Sequence, residues 1–435
     1  MFNRTARNIG IYGGGVFFAL NTIAQPYFTL VAEGLGASTA TIGLMVTLRA
    51  LLPLFIAMPI GQLIDSIGAL RMTMAGVALL TVSLAMMSFG SDLAALAVSQ
   101  LILGAAIMVV ASSLQVLAAD GEKDKTKRNR NINRYSMWTS VGGMAGPLLG
   151  GALVGAAGVG LAGYRAAFLA STLVSLASLL LVAVLARRSG AASEAGSDGE
   201  ADADHPVTAR ETLRETRRLF RPSGIAESYL SGLHLMRHRG VQFGLIATFL
   251  IMFIQSMFMS FIPLYLHSLG YGSWTISAVV SISGLAGLVS RLSLEWIMKR
   301  SSLEKILLAA GAIASSSLLF IPIASLHVAG IAALTFLIGS AVGINLPVSI
   351  MIMVDEALDR DRGKVVGLRL LSNRVSQIVS PAMFGALGQW LGLSAAFYVG
   401  GGALLAAMAG FALYSVKSVP ARAAEGGVPQ ERAET

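Results

Sequence analysis

The sequence predicts an all-α integral membrane protein with twelve transmembrane helices arranged as two six-helix bundles. Three observations support this prediction: an apolar composition, twelve apolar stretches of membrane-spanning length, and an internal repeat between the two halves of the chain. Of the 435 residues, 55% are hydrophobic and only 13% are charged, whereas soluble domains carry roughly 25% charged residues. The chain is therefore expected to expose much of its surface to lipid.

The twelve apolar stretches are separated by polar segments. A bilayer core of about 30 Å requires about 20 residues for each helical crossing, and each stretch is of roughly this length. The first stretch is too long for a signal peptide and has no cleavage site. The predicted spans are 9–32, 39–61, 71–90, 93–118, 135–158, 163–186, 240–266, 273–297, 304–325, 328–354, 366–391 and 394–416.

The lysines and arginines lie almost entirely on one side of this arrangement. When the spans are threaded alternately through the bilayer, that side receives the N-terminus, the basic cluster at 123–134 and the segment 187–239. The loops on the opposite side contain only Arg165. Because positively charged loops stay in the cytoplasm, both termini are predicted to be cytoplasmic. The formal charge of +9 reflects this topology, and no nucleic-acid partner is predicted.

The two halves of the chain resemble each other at a nearly constant spacing. Matching residues recur 234 positions later in two pairs of spans and 235 positions later in a third pair, through Gly104 and Gly339. This agreement of register predicts two bundles in the same orientation, with a substrate site between them near the bilayer midplane. The matching pairs are Leu35 and Leu269, Gly36 and Gly270, Thr41 and Thr275, Ile42 and Ile276, Pro147 and Pro381, and Gly151 and Gly385.

The segment between the two halves changes composition twice. Residues 190–206 are small and acidic, which predicts disorder. From Ile225 to Met236, apolar residues recur at helical spacing among charged ones, which predicts a short helix on the inner membrane surface. We interpret this segment as a connector rather than a regulatory site. The predicted units are an N-terminal bundle (1–190), a cytoplasmic linker with an amphipathic helix (191–239), a C-terminal bundle (240–416) and a cytoplasmic tail (417–435).

A compact motif joins spans 2 and 3 and contains Gly61, Asp65, Gly68 and Arg71. The glycines permit a tight turn, and the carboxylate can lie at the positive N-terminal end of a facing helix. The motif resembles the signature loop of the major facilitator superfamily, although Arg71 is the only basic residue where the family usually has several. The resemblance implies a role in conformational change, with Asp120 at the inner end of span 4 as the acidic partner of this loop.

Span 5 contains a stripe of glycines at a spacing of four, Gly142, Gly146 and Gly150, with Pro147 beside it. Small residues let a neighbouring helix approach closely, and proline removes one backbone hydrogen bond and permits a bend. These residues are therefore predicted to form a packing and hinge face. The stretch also resembles the motif that the superfamily associates with antiporters, particularly drug exporters, and this resemblance implies export.

Two arginines lie deep within predicted spans. Arg49 is about 18 Å from Gly61 along span 2, and Arg374 is about 12 Å into span 11. A charge at the bilayer centre costs about 2.5–3.5 kcal/mol, so each arginine requires either a function or an internal partner. In the superfamily spans 2 and 11 meet across the central cleft, which implies a shared site for an anionic group. Arg291 and Glu295, four residues apart, are predicted to form a local ion pair.

The superfamily lines its cavity mainly with spans 1, 4, 7 and 10, and each of these contains uncharged polar residues here. For each such residue, packing between helices is an alternative to contact with a ligand. Met252, Met257, Phe258, Met259 and Phe261 are predicted to form an adaptable apolar wall around Gln255. The predicted substrate-binding residues are Asn21, Gln25, Arg49, Gln115, Gln255, Asn345, Arg374 and Gln377.

Several chemistries have no support in the sequence. The chain has no cysteine, its five histidines are scattered, and no metal site is predicted. No glycine loop with a lysine is present to bind phosphates, so ATP is not the predicted energy source. No Asp, Glu or His lies in the middle of a predicted span, which leaves proton coupling without an assigned residue. The chain is not predicted to be an enzyme or to require a cofactor.

The combined prediction is a secondary transporter that works by alternating access of its two bundles. By resemblance, its predicted function is efflux of a small organic molecule driven by proton exchange. The alternative is uptake or facilitated diffusion of an anionic metabolite, favoured by Arg49 and Arg374. The expected partners are the small-molecule substrate, protons and membrane lipid. The protein is predicted to be a monomer in a bacterial inner membrane.

Overall fold

The computed structural model describes residues 2–56, 59–119, 124–158, 160–194, 234–355 and 362–418. Within these ranges the chain forms thirteen α-helices and one short 3-10 turn, and it contains no strand. Helices suit an apolar environment because they satisfy their backbone hydrogen bonds internally. The helices are α1 (Phe2–Gly34), α2 (Thr39–Ile56), α3 (Pro59–Ile67), α4 (Ala69–Phe89), α5 (Leu93–Ala119), α6 (Lys125–Ala157), α7 (Leu161–Glu194), α8 (Arg239–Ser268), α9 (Ser273–Met298), α10 (Leu303–Ala324), α11 (Val328–Asp355), α12 (Arg362–Leu391) and α13 (Leu393–Ser418).

The all-helical membrane architecture is confirmed. Eleven of the described helices are long and apolar enough to cross a membrane. The two others are α3, which has 9 residues, and α12, which has 30 residues but is made more polar by side chains such as Arg369 and Arg374. Every predicted span coincides with a helix, and α12 completes the set of twelve.

The second predicted span, 39–61, lies on α2 and the start of α3. Helix α2 is described to Ile56 and α3 from Pro59, with residues 57 and 58 outside the described residues. Helix α3 extends to Ile67 and includes the first part of the signature loop.

Two helices extend well beyond the predicted membrane spans. Helix α6 begins at Lys125, so most of the basic cluster that was predicted to be a loop is helical. Helix α7 continues to Glu194, into the predicted linker. Lysine, arginine and alanine have high helix propensity, so the helix continues where the apolar composition ends. Hydropathy alone therefore placed these helix ends incorrectly.

Little of the predicted linker and tail lies within the described residues. Residues 195–233, which include most of the predicted amphipathic helix, and the tail beyond 418 lie outside them. The described end of the linker, His234–Arg237, is a 3-10 turn. Its buried residue is Leu235, which packs near Val241, whereas Met236 is exposed. The amphipathic helix of the linker stays a prediction.

The internal repeat reappears as matching helix contacts inside the two bundles. A side chain at Gly104 on α5 would collide with the backbone of Arg49 on α2. In the second half, a Cβ at Gly339 on α11 would lie 2.6 Å from the carbonyl oxygen of Ser283 on α9. Ser283 follows Arg49 by 234 positions. The same backbone approach therefore occurs at equivalent positions of both bundles.

The contacts between the bundles are repeated in the same way. Gly43 on α2 packs against Gly385 on α12, where a Cβ on Gly385 would lie 3.0 Å from the Gly43 Cα. On the other side of the molecule, a Cβ on Gly151 of α6 would lie 2.9 Å from the Cβ of Ser277 on α9. Ser277 and Gly385 follow Gly43 and Gly151 by 234 positions each. The two halves thus meet through two related interfaces, α2 with α12 and α6 with α9.

The glycine stripe of α6 packs directly against the backbone of α1. A Cβ at Gly146 would lie 2.6 Å from the carbonyl oxygen of Ala19, and one at Gly150 would lie 2.9 Å from that of Ile23. Gly142 packs in the same way against Gly15. The described structure therefore shows the stripe in a packing role. The hinge at Pro147 stays a prediction.

We expect Gly146→Ala to destabilise the N-terminal bundle by about 1–3 kcal/mol, because the added methyl group requires α1 and α6 to separate. The matched control is Gly143→Ala on the same helix, since a Cβ at Gly143 meets no described atom within 4 Å. The control should be neutral or slightly stabilising, because alanine has the higher helix propensity. Thermal unfolding of the purified variants measures both effects, and equal stability of the two variants would contradict the packing role.

Candidate functional site

A cavity of about 280 Å³ lies between the two bundles near the middle of the transmembrane region. Arg49, one of its lining residues, is about 15 Å along α2 from Thr39, which places the cavity close to the midplane. Both halves contribute to its wall, the N-terminal half through α1, α2 and α5 and the C-terminal half through α8 and α12. Its polar lining residues are Asn21, Gln25, Arg49, Gln255, Ser256, Ser260, Arg374 and Gln377.

Six of the eight predicted substrate-binding residues line this cavity, and Gln115 and Asn345 do not. Gln115 lies eleven residues beyond Gly104, a lining residue, and is therefore about 16 Å further along α5 on nearly the same face. It is exposed. Asn345 is fully buried in α11, and neither of its amide atoms has a hydrogen-bond partner among the described residues. These two residues do not line the described cavity, and their role in substrate binding stays a prediction.

Arg49 is held by α1. Its Nη2 atom donates a hydrogen bond to Oδ1 of Asn21 at 2.8 Å. A guanidinium carries five N–H donors, so this one bond fixes the orientation of the group and leaves it able to bind a ligand in the cavity. Asn21 is itself buried, which makes the arrangement rigid on the α1 side.

Arg374 belongs to a short polar network on α12. Its Nη1 atom donates to Oε1 of Gln377 at 2.9 Å, and Nε2 of Gln377 donates to Oδ1 of Asn373 at 2.8 Å. Its Nη2 atom lies 3.6 Å from Sδ of Met108 on α5. Arg374 is therefore positioned by its own helix and also touches the other half of the protein.

The cavity is electropositive. Arg49 and Arg374 both line it and are close enough to repel each other. None of its described lining residues is Asp or Glu. Interactions between charges are much stronger in a site of low dielectric constant than in water. An anion placed between the two guanidinium groups would therefore be strongly stabilised and would also relieve their mutual repulsion.

The apolar part of the wall differs from the predicted one. Of the five methionines and phenylalanines predicted around Gln255, only Met259 lines the cavity. Met252, Met257, Phe258 and Phe261 are buried within the C-terminal bundle. The lining face of α8 instead includes Ser256 and Ser260. Ser256 and Ser260 are four residues apart and so share a helix face, as Gln255 and Met259 do, a spacing that our prediction did not use.

Contacts of α1 with α8 and α9 close the cavity on the side that was predicted to be extracellular. The hydroxyl groups of Tyr27 and Ser277 form a buried hydrogen bond of 2.5 Å between the two halves. Nearer the surface, Oε2 of Glu33 and Nδ1 of His267 lie 3.3 Å apart, with both side chains partly exposed. These contacts reinforce the glycine contacts of α2 with α12 at the same end of the molecule.

Arg291 does not form the predicted ion pair with Glu295. Its Nη1 atom donates to Oγ of Ser140 on α6 at 2.9 Å, across the interface between the halves. Glu295 lies 3.7 Å from Nζ of Lys299 instead. A long arginine side chain at this interface can reach a residue of the facing helix as readily as a residue of its own helix. The spacing of residues along α9 therefore could not distinguish Ser140 from Glu295 as the partner of Arg291.

The signature loop forms a turn of one residue between α3 and α4. Gly68 has a φ of +94°, a conformation that favours glycine, and its N–H donates to the Ile64 carbonyl at 2.9 Å. Arg71 lies exposed in the first turn of α4. Gly61 and Asp65 belong to α3, although the side chain of Asp65 and the whole of Asp120 lie outside the described residues. The roles of Asp65, Arg71 and Asp120 in conformational change stay predictions.

Within the part of the chain that the structure describes, no cluster of three or more His, Asp or Glu side chains could hold a metal ion. A helical membrane protein with an internal repeat and a polar cavity between its halves has the architecture of a secondary transporter. Comparison with protein families supports this class, because residues 11–357 match the Major Facilitator Superfamily. The chain belongs to the Major Facilitator Superfamily and is a multi-pass membrane transporter.

Solved transporters share the fold at low sequence identity. The nucleoside transporter NupG has a TM-score of 0.70 at 12% identity, covering 95% of this chain and 98% of that one. A POT family transporter in complex with 5-aminolevulinic acid has a TM-score of 0.69 at 16% identity, covering 94% and 96%. A bacterial homologue of the human lysosomal transporter Spinster, inward-facing and unoccupied, has a TM-score of 0.66 at 14% identity, covering 95% and 96%. A comparison with curated proteins gave no significant match.

We expect a short thiol-reactive crosslinker to join the two halves in a Glu33→Cys, His267→Cys variant, because these side chains meet at the closed end. The natural chain has no cysteine, so the reaction is confined to the introduced pair. A protease site is inserted between residues 195 and 206. After cleavage, the crosslinked halves migrate together on a denaturing gel, whereas halves that are not crosslinked separate. The control is Asp92→Cys with His267→Cys, and similar yields from the two pairs would contradict the described closure.

Proposed function

We propose that the protein is a secondary transporter that binds a small organic anion in its central cavity. The observation that carries this proposal is that Arg49 and Arg374, one from each half, line one cavity with no acid among its described lining residues. A ligand bound between them would contact both bundles, as an alternating-access mechanism requires. Asn21, Gln25, Gln255 and Gln377 supply neutral hydrogen-bonding groups around it.

The chemistry of the site favours a carboxylate or a phosphate. Guanidinium groups bind such anions through paired, charge-assisted hydrogen bonds. The cavity volume of about 280 Å³ is close to the lower end of the range for small-molecule sites, which favours a small metabolite. A POT family transporter of the same fold binds 5-aminolevulinic acid, a small carboxylic acid, which supports a ligand of this size.

We propose export as the direction of transport. The support for export is the resemblance of the α6 stretch around Gly146, Pro147 and Gly150 to the antiporter motif of the superfamily. Proton exchange has weaker support, because no Asp, Glu or His lies among the described lining residues of the cavity. Uptake or facilitated diffusion of the same anion is the second candidate, and the paired arginines favour it equally.

We also propose that the protein acts as a monomer in a bacterial inner membrane with both termini in the cytoplasm. The distribution of lysine and arginine supports this orientation, since the basic residues at the start of α6 lie at the end opposite to the Glu33 and His267 contact. In this orientation the cavity is closed toward the outside.

We expect Arg49→Gln and Arg374→Gln each to weaken binding of the anion by about 10- to 100-fold, since a hydrogen bond to a charged group contributes roughly 1.5–3 kcal/mol. A ligand that binds the folded state raises its thermal stability. The purified protein is therefore heated with a panel of small carboxylates and phosphate esters. The matched control is Arg300→Gln, an exposed arginine on the loop after α9 that contacts Trp296.

Stabilisation by the same anion in both cavity variants would overturn the proposed site, as would selective stabilisation of the natural protein by cations alone. The direction of transport is then measured in proteoliposomes loaded with the stabilising anion. Loss of the anion from right-side-out vesicles supports export, and accumulation against the same gradient supports uptake.

A further inference from the structure

A strongly basic pocket lies where the first turns of α1 and α6 meet. It has a volume of about 400 Å³, and its lining includes Arg7, Lys127, Arg130 and Arg134. The three basic residues from α6 fall three and four positions apart, so they share one face of the helix. They are exposed. None of the described lining residues of this pocket is acidic.

An apolar cleft extends from this region along the surface of the N-terminal bundle. It lies between α1, α4, α5 and α7 and also has a volume of about 400 Å³. Its lining is mostly aliphatic, with Val16, Leu80, Leu114 and Leu181 as examples. Val16 is 47% exposed and Leu181 is 61% exposed, so the cleft opens at the outer surface of the bundle. In a membrane protein this surface faces lipid.

The basic pocket and the apolar cleft adjoin each other at α1. Asn8 and Tyr12 of α1 line both of them. Tyr12 packs edge-on against Trp138 of α6, with ring centroids 5.3 Å apart, and both rings are partly exposed. Tyrosine and tryptophan favour the boundary between the lipid headgroups and the hydrocarbon core. The groove is thus charged at the boundary and apolar where it runs into the membrane.

We infer that this groove binds one anionic phospholipid, with its phosphate in the basic pocket and an acyl chain in the apolar cleft. The two parts of the groove complement the two parts of such a lipid, and basic pockets between membrane helices bind anionic headgroups. A soluble anion would occupy only the basic pocket. The groove shares no described lining residue with the central cavity, so it is separate from the proposed substrate site.

The bound lipid would contact three helices of the N-terminal bundle. Its headgroup would contact α1 and the start of α6, and its chain would contact Ser178, Leu181 and Val182 of α7. The basic residues at the start of α6 would therefore bind a specific ligand, in addition to setting the orientation of the protein in the membrane.

The test uses Trp138 as a built-in probe. The chain has four tryptophans, and Trp274→Phe, Trp296→Phe and Trp390→Phe together leave Trp138 alone. This variant is reconstituted into phosphatidylcholine vesicles that contain chain-brominated phosphatidylglycerol or chain-brominated phosphatidylcholine, because bromine quenches tryptophan fluorescence on contact. We expect half-maximal quenching at a mole fraction of the anionic lipid that is lower by at least about fivefold, since a single basic residue near the surface contributes about 1 kcal/mol and the pocket has four.

Two charge variants in the same background separate specific binding from general surface charge. Lys127→Gln, Arg130→Gln and Arg134→Gln together should abolish the preference for the anionic lipid. Lys299→Gln, Arg300→Gln and Lys305→Gln remove the same number of charges outside the groove, and this control should retain the preference. Ser178→Phe, which fills the cleft, should reduce quenching without changing the charge. Each variant is first shown to elute as a single monodisperse species.

Equal quenching by the two brominated lipids would overturn the inference. So would retention of the preference in the groove variant, or its loss in both charge variants. Inorganic phosphate at millimolar concentration should not relieve quenching by the anionic lipid. Relief by phosphate would show that a free anion occupies the basic pocket and would also overturn the lipid assignment.

Discussion

The close backbone approach between the two halves is the constraint on which the site depends. Gly43 meets Gly385 between α2 and α12, and Ser277 meets Gly151 between α6 and α9. At all four positions the side chain is absent or very small, so the helices can come together at one end of the molecule. The polar cavity lies directly beside these contacts, because the same helices, α2 and α12, bring their arginines into it.

The two partly buried arginines of the cavity explain why the surrounding helices carry amides and serines. A guanidinium group in a membrane requires hydrogen-bond acceptors or a counter-ion. Asn21 accepts from Arg49 and Gln377 accepts from Arg374, both through neutral groups. Neutral partners orient the guanidinium groups without cancelling their charge. The cavity therefore retains its positive potential, which a nearby carboxylate would have neutralised.

Much of the fold could be predicted from the sequence because a membrane span depends on local composition. The positions of the twelve spans, the repeat and the family followed from apolar stretches, residue spacing and the signature loop. The ends of helices such as α6 could not be found from hydropathy, since Lys125 and its neighbours continue a helix outside the apolar region.

The residues of the candidate site could be predicted where their depth in the membrane was enough to place them in the cavity. Arg49 and Arg374 lie near the middle of their spans, and their charges exclude the lipid face. Gln115 and Phe258 show the limit of this reasoning. Gln115 was predicted to line the cavity from its depth and Phe258 from its neighbours. The rotation of α8 and the extent of the cavity along α5 decide which side chains reach it. Those quantities are set by packing between helices that are distant in the sequence.

The repeat relates the helices of the two halves by an approximate twofold axis, but the two arginines of the cavity do not occupy equivalent positions. The residue 234 positions after Arg49 is Ser283, and the residue 234 positions before Arg374 is Ser140. Both arginines therefore lie on the α2 and α12 side, and their counterparts on the α9 and α6 side are neutral. The two bundles are related by symmetry, but the positive charge lies on only one side of the cavity between them. An asymmetric molecule carried through it would travel in one orientation, with its anionic end toward α2 and α12.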